Sequence, residues 1–207
     1  MGYPTINDHA LVLRITPNGE SFQKIDVLTS ESGVFLCLKR ISKKNPFGSH
    51  PDLFDTADIQ LESSRHGTAT RFIKEYQLVR RRDPIGKSYH ALSHASDFCT
   101  LIAYNGPHMA NSTNLYRITE RTLNAFAEQK TPSIVLLKAL YLLLKDEGYP
   151  VCEAWWPQLP THLRDIARQL INAPTPNDTS TELISACAEI NQDLRNWLSR
   201  ETDLVLP

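Results

Sequence analysis

The stretch "LTSESGVFLCLKRISKKNPFGSHPDLF", Leu28 to Phe54, runs from a strand into a basic loop. Val34 to Leu38 alternates as a strand does. Lys39, Arg40, Lys43 and Lys44 then fall within six residues, and Pro46, Phe47 and Gly48 break the chain after them. The same alternation continues on both sides of this stretch. "ALVLRIT" (Ala10–Thr16) reads as a strand, "PNGES" (Pro17–Ser21) as a turn, and "FQKIDVLT" (Phe22–Thr29) as a second strand. Gly33 supplies the permissive backbone that the next turn needs. After the basic loop come "ADIQLES" (Ala57–Ser63), a turn at "SRHG", and "TATRFIKEYQLV" (Thr68–Val79). Five short strands divided by Gly- and Pro-containing turns predict a small antiparallel barrel.

Beyond Val79 the period changes. "RRRDP" (Arg80–Pro84) is charged and ends in proline, which suits a linker. From Tyr89 onward the apolar spacing is helical. Thr131 and Pro132 read as a helix cap and first helical position. Ile134 to Leu144 is apolar almost all round, which predicts a central buried helix, ended by Gly148 and Pro150. Thr161 starts another helix, and Thr179 with Glu182 forms a capping-box pattern ahead of the last one. The fold class expected is α+β: a five-stranded antiparallel OB-fold barrel over residues 1–80, a linker over 81–88, and an all-α domain of about five helices over 89–207.

Charge is distributed unevenly along the 207 residues. Residues 1–82 hold 12 Lys/Arg against 9 Asp/Glu, while residues 83–207 hold 10 against 14. Within 39–82 the count is 10 against 5, which favours an anionic partner for the first half. An OB-fold barrel binds a nucleic-acid strand across one face with its loops as clamps. On that reading Lys39, Arg40, Lys43 and Lys44 meet phosphates, Phe47 stacks on a base, and Arg65, Arg71, Lys74, Arg80, Arg81 and Arg82 extend the track. The competing reading is a solvated loop whose Phe47 packs on the barrel.

There is no Ser-His-Asp signature, phosphate-binding P-loop or Gly-rich dinucleotide loop, so no enzyme activity and no cofactor are expected. The cysteines Cys37, Cys99, Cys152 and Cys187 form no CxxC pair, and Cys37 and Cys187 read as buried thiols. His90, His94 and Asp97 share a helical face, but without the intervening Glu of the zinc-protease pattern. His50, Asp52, Asp55 and Asp58 suggest a metal-dependent nuclease at a distance, with turn chemistry as the plainer reading. In "CEAWWP" (Cys152–Pro157) the adjacent tryptophans cannot share one face, so one is expected to be partly exposed. "SIVLLKALYLLL" is too short to span a bilayer and contains Lys138, which leads to the expectation of a reduced, cytoplasmic protein.

"ALVLRITPNGES", "DVLTSESGVFLCLKRISKK" and "HPDLFDTADIQLES", in that order, resemble the amino-terminal region of the DNA repair and recombination mediator RecO family. "LLKALYLLLKDEGYPV" (Leu136–Val151) is similar to that family's long apolar helix ending in a Gly-Tyr step. The resemblance implies an OB-fold joined to a helical domain. It also implies binding of single- and double-stranded DNA, annealing, assistance to recombinase loading, and a nucleoid-associated location. The implied partners are a RecR-like protein and the acidic carboxy-terminal tail of single-strand binding protein. A local cation cluster would receive such a tail: Arg117, Arg121, Lys130 and Lys138. Many family members carry a four-cysteine zinc module after the Gly-Tyr step; here only Cys152 stands there, so zinc is not implied. The alternative function is a protein-interaction adaptor of the same fold with weak DNA binding.

Overall fold

The computed structural model describes residues 5–41, 50–63 and 71–207. The chain divides into two compact units. One comprises residues 1–82 with 102–116, and the other residues 83–101 with 117–207.

In the first unit, β1 (Thr5–Asn18), β2 (Phe22–Thr29), β3 (Gly33–Arg40), β4 (Thr56–Ser63) and β5 (Arg71–Arg80) close a barrel in the order β1-β2-β3-β5-β4. This is the OB-type barrel that the strand spacing predicts, with one correction. The barrel is mixed, not antiparallel, because β3 and β5 pair in parallel through Cys37 with Arg71 and Leu38 with Phe72. Closure requires it: β1 is already flanked by β2 and β4, so the free edges of β3 and β5 have only each other to pair with. The alternation of the strands fills the inside with Ala10, Val12, Ile25, Val27, Cys37, Ala57, Ile59, Leu61, Ile73 and Tyr76. Gly19 and Gly33 turn the two first hairpins at φ +68 and +70, a region that side chains with a Cβ rarely adopt.

The outer face of the barrel is partly covered. The register sets Leu11, Leu28 and Val34 side by side, and all three are buried. Residues 102–116 lie over that row. Gly106 comes so close that a Cβ there would sit 2.3 Å from Val34 Cγ2. Ser112 Oγ and Thr113 Oγ1 both donate to the Ser30 carbonyl at 3.1 Å.

The second unit is helical. It takes most of α1 (Tyr89–Asn105) and α2 (Ser112–Ala127), with α3 (Pro132–Asp146), α4 (Thr161–Asn172) and α5 (Thr181–Glu201). α3 is the central helix, with Ile134, Val135, Leu136, Leu137, Ala139, Leu140, Leu143 and Leu144 all buried. Thr131 is the N-cap of α3 and Pro132 the first helical position, as expected, though the Thr131 hydroxyl donates to the Pro176 carbonyl and makes no cap bond of its own. The cap of α5 also differs by one residue from the capping-box reading. It is Ser180, whose Oγ accepts from Leu183 N. Trp155 is wholly buried and donates Nε1–H to Asp193 at 2.8 Å, while Trp156 is half-buried against Tyr141. Cys37 and Cys187 are buried thiols, as the sequence suggests. No helix among the described residues is long and apolar enough to cross a membrane.

Candidate nucleic-acid interface

The same register that buries Leu11, Leu28 and Val34 leaves three further rows on the outer face. Arg14, Asp26 and Leu36 form the first, Thr16, Lys24, Leu38 and Phe72 the second, and Asn18, Phe22 and Arg40 the third. Directly opposed side chains in such rows stand within contact range of one another. Arg14 is taken up by its surroundings. Its Nε donates to Asp26 Oδ2 at 2.7 Å, its Nη1 donates to Tyr104 Oη at 2.8 Å, and its guanidinium lies over the Tyr104 ring. The second and third rows carry solvent-facing chemistry. Lys24 and Arg40 are exposed, and so is Lys74, two residues beyond Phe72 on β5. Phe22 and Phe72, half-buried, reach across β3 and meet edge to face with ring centroids 6.2 Å apart. Leu36 and Ile41 expose 43% and 39% of their surface beside them.

An aromatic pair with exposed cations on β2, β3 and β5 and Glu62 on its β4 side is an arrangement that suits a polyanion whose bases have flat faces. In such an arrangement cations can meet phosphates and rings can stack on bases. The opposite flank of the barrel has the reverse character. Asp8, Glu31, Asp58 and Glu75 line a trough there with His9, whose Nδ1 lies 2.6 Å from Asp58 Oδ1. Carboxylates thus gather on one flank, while Lys24, Arg40 and Lys74 are exposed on the other, where Glu62 stands opposite Phe72.

The residues singled out from the sequence are scattered by the fold. Lys43, Lys44, Phe47 and Arg65 lie outside the described residues. Arg40, Lys74 and Arg80 are exposed on the barrel. Lys39 follows Arg40's neighbour Leu38 but has the inward parity of Cys37, is half-buried, and has its pKa lowered by that burial. Arg71 also has inward parity and lays its guanidinium over the Phe35 ring at 4.1 Å. Arg81 and Arg82 are bound to the segment before β4. Arg81 grips Asp55, and Arg82, only 2% exposed, donates Nη1–H to the Phe54 carbonyl at 2.6 Å and to Thr56 Oγ1 at 2.9 Å. Phe22, Lys24 and Phe72, which complete the open face with Arg40 and Lys74, are not signalled by the basic run at all. Phe22 and Lys24 do share one parity of β2, but only the pairing register puts them beside Arg40 and Phe72.

In the helical unit, Arg117 and Arg121 are exposed one turn apart on α2. Lys130 and Lys138 converge on the segment between α4 and α5. Lys130 donates to Asn177 Oδ1 at 2.7 Å and Lys138 to the Ala173 carbonyl. The aspartates near His50 are divided among separate tasks. Asp55 is buried against Arg81 and Tyr76, Asp52 accepts from Leu53 N, and Asp58 meets His9. Among the described residues no group of three or more His, Cys, Asp or Glu is placed to hold a metal ion. The chain matches no protein-family model, and no curated protein is significantly similar to it.

Proposed function

We propose that this protein is a DNA-binding factor that holds its ligand on the open β2-β3-β5 face of the barrel. The observation that carries the reading is the meeting of Phe22 and Phe72 between the exposed cations Lys24, Arg40 and Lys74. Phosphate neutralisation by the cations supplies affinity, and the rings supply contact with bases. The sequence resemblance to recombination mediators gives this binding a role. A surface that neutralises two strands lowers the repulsion between them and so promotes annealing. In that role the helical unit is the part that meets partner proteins, with Arg117, Arg121, Lys130 and Lys138 as the cations for an acidic tail.

The experiment is a titration of the full chain with fluorescently labelled oligonucleotide at two salt concentrations. Binding that weakens steeply with salt supports the reading. A folded protein that leaves the oligonucleotide free at low salt overturns it and favours the adaptor alternative. Divalent-metal-dependent cleavage of the oligonucleotide would instead restore the nuclease reading.

A further inference from the structure

The helical unit contains a polar cleft that DNA binding by the barrel does not use. α1, α3 and α5 line a half-open cleft of about 240 Å³, bounded by Ser93, His94 and Asp97, by Ser133 and Leu136, and by Ala188, Asn191, Gln192 and Arg195. Asn191 is 7% exposed. Its amide nitrogen is committed, donating to the Ser133 carbonyl at 2.9 Å and lying 3.7 Å from Cys187 Sγ. That commitment fixes which end of the amide is oxygen. Oδ1 is buried and has no hydrogen-bond partner, and neither has the buried Nδ1 of His94. A buried acceptor without a donor is costly, and native interiors keep few of them unless another molecule supplies the donor.

The charges around the cavity restrict what that molecule is. Arg195 Nη2 lies 2.9 Å from Asp97 Oδ2, so the cation and the carboxylate at the cleft answer each other. Together they bring no net charge to the cleft that would draw in an ion. An anion would also set oxygen lone pairs against Asn191 Oδ1. A cation would meet Arg195 with Asp97 already engaged. An uncharged ligand with an N–H donor fits both constraints, and Leu136 and Ala188 offer its flat faces apolar contact. The volume lies below the roughly 300 Å³ at which drug-sized pockets begin, which selects a single ring or a compact amide.

We infer that the α1-α3-α5 cleft is a binding site for a small uncharged molecule bearing a primary amide or ring amino group, whose N–H donates to Asn191 Oδ1. An ordered water is the competing occupant, since it too can donate to a buried oxygen.

Two pairs of probes separate these outcomes on the full chain, followed by the ¹⁵N-¹H spectrum of the protein. Nicotinamide and nicotinate share a ring, and only nicotinamide carries the amide donor. Cytosine and 1,3-dimethyluracil share a ring, and only cytosine carries N–H donors. Nicotinamide and cytosine are expected to shift the Asn191 side-chain and His94 signals with dissociation constants of about 1 mM, the range for so few atoms. Nicotinate and 1,3-dimethyluracil are expected to bind about tenfold more weakly or worse, having no donor for Oδ1. Ala188→Met, at the exposed rim, narrows the cleft mouth without replacing either partner of the Asn191–Ser133 bond, and should weaken the shifts while leaving the rest of the spectrum in place. Equal binding of nicotinate and nicotinamide, or no shift with either donor-bearing probe, overturns the inference and leaves water as the occupant. These probes carry no phosphate, so the result is independent of whether the barrel binds DNA.

Discussion

Asp55 is wholly buried, and the Arg81 guanidinium reaches it with Nη2 2.9 Å from Oδ2 and Nε 3.1 Å from Oδ1. Tyr76 Oη donates to Oδ2 at 2.8 Å and Asp52 N at 3.0 Å. The carboxylate raises the Arg81 pKa, while burial raises that of Tyr76. This one carboxylate therefore ties the segment before β4 to β5 and to the residues that follow it. The neighbouring Phe54, at φ 68 in the left-handed region, is held there by Phe54 N donating to the Val12 carbonyl and Val12 N to that of Asp55. The predicted consequence is that Asp55→Ala, which strands Tyr76 Oη and the Arg81 guanidinium together, lowers the unfolding free energy by about 3 kcal/mol in urea titration. A loss under about 1 kcal/mol would place the pair among ordinary surface ion pairs.

The open barrel face predicts two separable effects on DNA binding. Replacing Lys24, Arg40 and Lys74 together by Ala removes up to three phosphate contacts. It should reduce the log–log salt slope for a single strand by about 2, at roughly 0.7 per phosphate. Phe22→Ala and Phe72→Ala should each cost about 1–3 kcal/mol of affinity with the salt slope unchanged, because stacking releases no counterions. Fluorescence anisotropy over a salt series, with circular dichroism to check folding, reads both. A triple variant with the wild-type slope would remove these cations from the interface.

Gly106 is glycine because Val34 leaves no room for anything larger. Gly106→Ala should destabilise by about 1–3 kcal/mol through overpacking. Combining it with Val34→Ala should recover part of that loss, since the two side chains would contend for the same space. Additive losses in the double variant would show the clash to be relieved elsewhere.

His94 is set for a pH effect on stability. Burial, the largest cause, lowers its pKa from 6.5; Asp97 raises it, while Arg195 and His90 lower it. The folded state then binds fewer protons than the unfolded state as pH falls below 6.5. The stability associated with neutral His94 is present in full above that pH and is lost as pH falls towards the folded-state pKa. Urea titrations across pH 5 to 8 should show wild type losing stability below about 6.5 relative to His94→Gln, with parallel behaviour above 7. A pH-independent difference between the two would show that His94 titrates alike in both states.

The sequence by itself determined the element types and their order. Phe22–Thr29 is recovered as a strand with both ends correct, and α3 as the buried helix, because both follow from local periodicity and from Gly and Pro at the boundaries. It also marked the first half as the cationic one. The parallel β3–β5 pairing was not legible, since pairing partners distant in sequence leave no local trace and the barrel's closure selects them. Nor was the fate of individual cations. Lys39 and Arg40 are adjacent, yet strand parity sends one inward and one to the open face. Arg81 and Arg82 read as a linker, yet Asp55, Phe54 and Thr56 hold them against the barrel. The meeting of Phe22 with Phe72 and the orphaned oxygen of Asn191 belong to tertiary structure alone. A side chain's type is written in the chain, but which face it shares, and with whom, is fixed only when distant segments take up their register and pack.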